Sequence, residues 1–207
     1  MAAVISLMGC GSDGLSSAGS GSRCASADHI VPSESLQDLV TYADQVAVVK
    51  VVDDEVAEYD RPNDGLELER FREVTIEVTD VVWTAPQRRD VPTSATFTTS
   101  GWRGGDPKKG PAPDCDQPPL EVGHRYLVGM VEYRDGEWAP MSGPFVLNVD
   151  ESGDVHGVIE DGPLSKYDGG TPAAVGAALA EVAPDPKVAP YRDQPGGLRY
   201  RASVDGG

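Results

Sequence analysis

Positive charge is scarce in this chain. Lys and Arg number 17 against 34 Asp and Glu, and the net charge is −17. A phosphate backbone requires cationic side chains at its contact surface, so nucleic acid is excluded as a partner. Anionic lipid headgroups would repel the domain, which excludes membrane attachment through a basic patch. What remains is solubility at high charge, or an acidic surface suited to a cationic partner. Cysteine is scarce as well: Cys10, Cys24 and Cys115 are the whole set. None forms a CxxC pair, which argues against a zinc ribbon or a thioredoxin-like redox motif. The three histidines, His29, His124 and His156, lack ligand spacing, so no metal site is expected. No apolar run approaches the roughly 20 residues that span a bilayer. P-loop, GxGxxG and GxSxG motifs are missing. Carboxylates are too numerous for any one pair to stand out as acid and base. The residues therefore indicate no catalytic group and no cofactor.

Glycine and proline are abundant instead, at 24 and 17 of 207 residues, while hydrophobic residues reach only 39%. A length of this order makes one domain, and the composition gives it a modest core with loose ends. The expected division is a leader over 1–9, a tether over 10–30, a folded domain over 31–183 and a disordered Pro/Gly-rich tail over 184–207.

Within the domain, Ser35 and Asp38 match a capping box. Leu36, Leu39, Val40 and Ala43 then share one helical face. Gln45 to Val52 is the most apolar run, with Ala47, Val49 and Val51 expected to face the core and Lys50 to face solvent. Acidic residues follow from Asp53 to Asp60. They lack the spacing of a calcium loop and read as exposed. Arg72 to Trp83 alternates until Asp80, where the phase slips, as at a bulge or sharp bend. Ser94 to Ser100 is a threonine-rich strand. The Gly/Pro-rich stretch Gly101 to Pro119 cannot be regular structure. There Trp102 and Arg103 offer an aromatic and cationic contact, the alternative being that Trp102 packs back onto the barrel mouth. Arg125 to Arg134, Glu137 to Met141 and Pro144 to Val149 are further strands, and Asp135-Gly136 marks a hairpin. Val155 to Ile159 is a candidate return strand. Thr171 caps a helix with Pro172 at its first position, and Pro184 stops it. The class expected is mainly β: a small antiparallel OB-like barrel of five to seven strands with a short N-terminal helix and a C-terminal helix.

The N-terminus carries a resemblance. Leu7-Met8-Gly9-Cys10 resembles the lipobox of bacterial lipoproteins, in which the cysteine receives a diacylglycerol and becomes the mature N-terminus. The likeness implies lipidation at Cys10 and anchoring through buried methylenes. The Gly/Ser-rich stretch Gly11 to Ser22 suits a spacer between membrane and domain. No basic residue precedes Cys10 as a signal segment requires, so the expectation is a leader whose true start lies upstream. The alternative is a cytoplasmic chain with a ragged N-terminus. Export would leave Cys24 and Cys115 as a disulfide pair, worth on the order of 3–5 kcal/mol; two free thiols are the other reading.

From Leu36 to Ile159 the pattern is similar to netrin-like modules and tissue inhibitors of metalloproteases. The features that carry it are Ala43-Asp44 ending a helix, a long Thr/Val strand, a Gly/Pro loop, and Val122-Gly123 before Arg125-Tyr126-Leu127-Val128. That family inhibits through a cysteine-led N-terminus, whereas Cys24 follows a long tether. Three functions follow as expectations: a lipid-anchored envelope module binding a protein or ligand, a protease-inhibitor-like interaction protein acting through the Trp102–Cys115 loop, and a hydrolase with a deep carboxylate-lined cleft.

Overall fold

A computed structural model of the chain describes residues 31–57, 71–88, 92–99, 101–102, 108, 110–111, 118–134, 136–141, 143–157 and 162–205. The run at Gln45 lacks a polar face because its strand is covered on both sides. β1 (Gln45–Val56) lies between β2 (Arg72–Thr84) and β4 (Arg125–Arg134), antiparallel to both. Ala47, Val49 and Val51 enter one core, with Val74, Ile76, Phe97, Tyr126 and Met130. Val46 and Val48, which alternation places on the same side as Lys50, enter a second core with Leu39, Leu127, Phe145, Val175 and Leu179. A central strand buried on both faces reads as a continuous apolar run, and alternation alone cannot assign its sides. Lys50 is exposed as expected, opposite Glu77 on β2.

The sheet has seven strands. β3 (Ser94–Thr99) forms one end on β2; β6 (Val146–Val149) and then β7 (Val155–His156) continue from β4. β5 (Glu137–Pro140) pairs with the C-terminal half of β4, and β6 pairs with its N-terminal half. The two are thus successive pieces of one return path along β4, separated by a 3-10 turn at Gly143–Phe145. Trp138 of β5 and Phe97 of β3 share the inner core, so the sheet curls until β3 meets β5 around that core. The chain is mainly β, a curled antiparallel half-barrel with a few short helices.

The curl comes from bulges on the long strands. Val48 opposes Asp80 and Val49 opposes Val78, which leaves Thr79 as an extra residue. Its Oγ1 donates to the Val48 carbonyl at 3.0 Å, replacing a ladder bond. This is the phase slip visible near Asp80 in the sequence. Val82 is skipped in the same way, and so is Val52 on β1. Each extra residue bends the ribbon and increases its twist.

Helices cover the outer face. α1 (Leu36–Tyr42) begins with the expected capping box, Ser35 Oγ accepting from the Asp38 N–H and the Asp38 carboxylate accepting from the Ser35 N–H. α2 (Pro172–Ala180) starts on Thr171 with Pro172 at its first turn, as the sequence predicts. The stretch after Pro184 departs from expectation. A 3-10 segment over Pro186–Tyr191 leads to α3 (Gly196–Asp205), which packs on α1 and β4. The folded unit therefore continues to residue 205. Composition marked this segment as disordered because its few apolar residues and two glycines carry little average hydrophobicity. What orders it is specific docking: a Cβ at Gly196 would collide with the Tyr42 carbonyl, and one at Gly197 would lie 2.9 Å from the Tyr133 backbone. Only glycines let the helix approach so closely.

A candidate binding pocket behind the second helix

Asp44 follows α1 and is fully buried. One oxygen accepts the backbone N–H of Glu132 at 3.0 Å and that of Gly196 at 2.9 Å, the latter at the N-terminus of α3, where negative charge is favoured. The other oxygen meets Nη2 of Arg199 at 2.8 Å, with Nε of Arg88 at 3.6 Å. Arg88 in turn forms an ion pair with Glu132. Nη2 of Arg199 also donates to the carbonyls of Tyr42 and Ala43 at 3.1 Å each. Burial pushes the Asp44 carboxyl upward against the pull of Arg199, the two N–H groups and Arg88, and it pushes Arg199 downward. Desolvation of this kind makes such a pair costly to break and modest in net stabilisation. The cluster ties α3 to the junction of α1 and β1, and Tyr42 and Tyr200 meet edge to face at 5.6 Å beside it.

Beside this cluster lies a cavity of about 240 Å³. Val40 of α1, Trp83 of β2, Leu179 of α2, and Val182 and Val188 beyond it form apolar walls. Arg199 contributes from the interior side, while Arg192 and Asp185 complete the polar lining with Thr41 and Gln87. Thr41 Oγ1 accepts the Asp185 N–H at 2.8 Å, and the Asp185 carboxylate accepts the Lys187 N–H at 2.9 Å. These groups shape the wall by holding the 3-10 segment in place.

The residues singled out in the sequence lie elsewhere. Trp102 lies under the Arg72 guanidinium, which is 4.9 Å from its ring centre. Arg103 lies outside the described residues, as do Cys10, Cys24, Cys115 and His29. Arg72 is itself buried, forked onto the Asp54 carboxylate at 2.9 and 2.7 Å and donating to the Leu120 carbonyl. His124 is exposed beside Glu121 at 3.7 Å. His156 is the last residue of β7, 3.0 Å from Asp150 and 3.6 Å from Asp168. Asp150 holds the β6–β7 turn by accepting from Ser152 Oγ and from the N–H groups of Gly153 and Asp154. Those bonds keep its carboxyl far below the ordinary range, and its hydrogen bond raises the pKa of His156. No group of three His, Cys, Asp or Glu side chains suited to a metal ion occurs among the described residues. No described helix is long and apolar enough to cross a membrane.

Sequence reasoning missed Asp44, Arg88, Glu132 and Arg199 as a set. Asp44 read as a helix end and Arg199 as part of a loose tail. The available signal was the tail's Gly196-Gly197 followed by Arg199, a pattern that permits close docking but names no partner. No protein-family model, curated protein or solved structure matches the chain.

Proposed function

We propose that this protein is a lipid-anchored envelope protein whose β domain is a binding module for a ligand or a protein partner, without a catalytic step of its own. The pocket behind α2 carries the binding part of this reading. Its walls are largely apolar, its one carboxylate and its hydroxyl are engaged in holding the backbone, and one of its two arginines, Arg199, is held by the Asp44 cluster. Such a lining, mostly apolar with a few polar groups, suits recognition. It has one carboxylate, Asp185, where a carboxylate-lined hydrolase cleft would have several. The anchoring part rests on Leu7-Met8-Gly9-Cys10 and the Gly/Ser stretch after it, which precede the described domain. From the netrin-like resemblance we carry over a barrel used as a binding scaffold and leave the protease contact aside.

The test is made on cells that produce the protein. The gene is expressed with its upstream codons, the membranes are fractionated, and the mature N-terminus is weighed beside Cys10→Ser. Expected is a membrane-bound chain that begins at a lipid-modified Cys10, and a released mutant. A soluble, unmodified chain beginning at Met1 would sink the anchoring and leave a cytosolic acidic half-barrel.

A further inference from the structure

The charges around the pocket behind α2 cancel. Arg199 is buried and spends its Nη2 on Asp44, Tyr42 and Ala43. Arg192 and Asp185 stand on the same lining with opposite signs. A charged ligand would therefore leave water for walls of hydrocarbon and indole and meet no free counter-charge, which is costly. The chain's −17 also opposes anions at a distance. Two uncharged polar groups on the lining remain open. The Gln87 side chain is half-buried and makes no hydrogen bond among the described residues, and the same holds for the Trp83 indole. Neither is sealed from solvent, unlike the indole nitrogen of Trp102. Thr41, by contrast, is buried with its hydroxyl on the Asp185 N–H. A glutamine amide both donates and accepts, and an indole only donates. Their complement is a neutral group with a carbonyl oxygen, best an amide. The cavity, about 240 Å³, is smaller than the roughly 300–1,000 Å³ of drug-sized sites. It is larger than the roughly 150 Å³ apolar cavity that admits one benzene, so it has room for one ring or branched chain with a short polar end.

We infer that the pocket binds a compact neutral molecule, its aromatic or branched hydrocarbon body against Trp83 and Leu179 and its one amide or similar carbonyl group met by Gln87. This ligand class rests on the binding-module reading above. The alternative occupant is water alone, which would leave every probe below without saturable binding.

The full chain is titrated by calorimetry and by NMR with phenylacetamide and 4-methylpentanamide, and in parallel with the acid and the primary amine of the same carbon skeletons. Expected is saturable binding of the amides that moves the Trp83 indole signal and leaves that of Trp138 in place. The acids and amines should be weaker by about tenfold, for the desolvation of an unpaired charge. Gln87→Leu should weaken the amides by about fivefold, as the loss of one neutral hydrogen bond implies. Arg192→Ala leaves Asp185 without its balancing charge. It should strengthen the amines by about threefold, in line with a solvent-screened charge, with the amides unchanged. Ala189 lines the pocket from an exposed position, so Ala189→Trp should abolish binding with the melting temperature kept. Acids or amines that bind as tightly as the amides overturn the neutral class while the binding pocket stands. Amides indifferent to both Gln87→Leu and Ala189→Trp, or no saturable binding by any probe, overturn the assignment together with the pocket's part in the proposed function. Lipidation of Cys10 is read separately and is untouched by each of these outcomes.

Discussion

Arg72 and Asp54 face each other from neighbouring strands with side chains 2% and 8% exposed. The fork of two hydrogen bonds and the Leu120 carbonyl satisfy the guanidinium, and Trp102 closes its flat face. Removing one partner strands the other charge in the interior. Arg72→Ala should therefore cost about 3–5 kcal/mol in urea unfolding. Arg72→Met combined with Asp54→Ala should cost clearly less, because no orphan charge remains. A single mutant within about 1 kcal/mol of wild type would show that the pair is solvated in solution. His156 behaves differently, since its partners lie at the surface. Its folded pKa is raised above 6.5, with the Asp150 hydrogen bond as the leading cause. The stabilisation from this pair is thus full below that ordinary value and is lost as pH rises through the raised one. Asp150 has the opposite sign, its share being lost only as pH falls through its depressed value. An NMR titration should find His156 titrating above the ordinary range, and Asp150→Asn should return it there. An unchanged midpoint in the mutant would show that Asp150 does not set it.

At the scale of elements, close approach decides more than propensity. α2 lies against β2 at Gly176, where a Cβ would sit 2.6 Å from the Val82 carbonyl oxygen. Val82 is one of the bulged residues, so the bulge and the glycine form one contact: the strand turns toward the helix and the helix lacks a side chain there. Gly176→Ala raises helix propensity and yet should destabilise by about 1–3 kcal/mol, since the obstacle is backbone. At Gly129 the nearest atom is the tip of Leu39, at 2.7 Å. That tip can rotate, so Gly129→Ala should be milder. Thermal melts of the two variants order them, and the reverse order would contradict this packing. Most strand starts and the helix starts were legible because alternation, Ser35 with Asp38, and Thr171 with Pro172 are local signals. The end of β1 was not, since the acidic residues from Asp53 read as an exposed break yet continue the strand to Val56, where Asp54 is held by Arg72. The joining of β5 and β6 along β4 was not, because pairing partners leave no mark on the strand that receives them.

For the whole molecule, β1 and β4 are the shared wall of two cores, the inner one enclosed by the curl and the outer one covered by helices. The C-terminal segment completes the outer core: Val188 lies in it and Tyr200 packs against it, while Arg199 and the Gly196 N–H satisfy Asp44. Deleting residues 185–207 should remove about 3 kcal/mol or more, as expected when a buried carboxylate loses its partners. It should also speed amide exchange at Glu132, whose N–H is bonded to the same carboxylate. A truncated chain with wild-type stability would show that the tail is dispensable.

The sequence by itself determined the β class, the helix caps, the bulge near Asp80 and the strongly acidic balance. Each of these follows from neighbours within a few residues or from a sum over the chain. Tertiary structure alone decided which face of β1 is buried (both), that the tail is ordered, and that Asp44, Arg88, Glu132 and Arg199 meet beside a pocket. Those outcomes depend on contacts between residues as far apart as Asp44 and Arg199, held by close backbone approach and by a charge that needs a partner once it is removed from water.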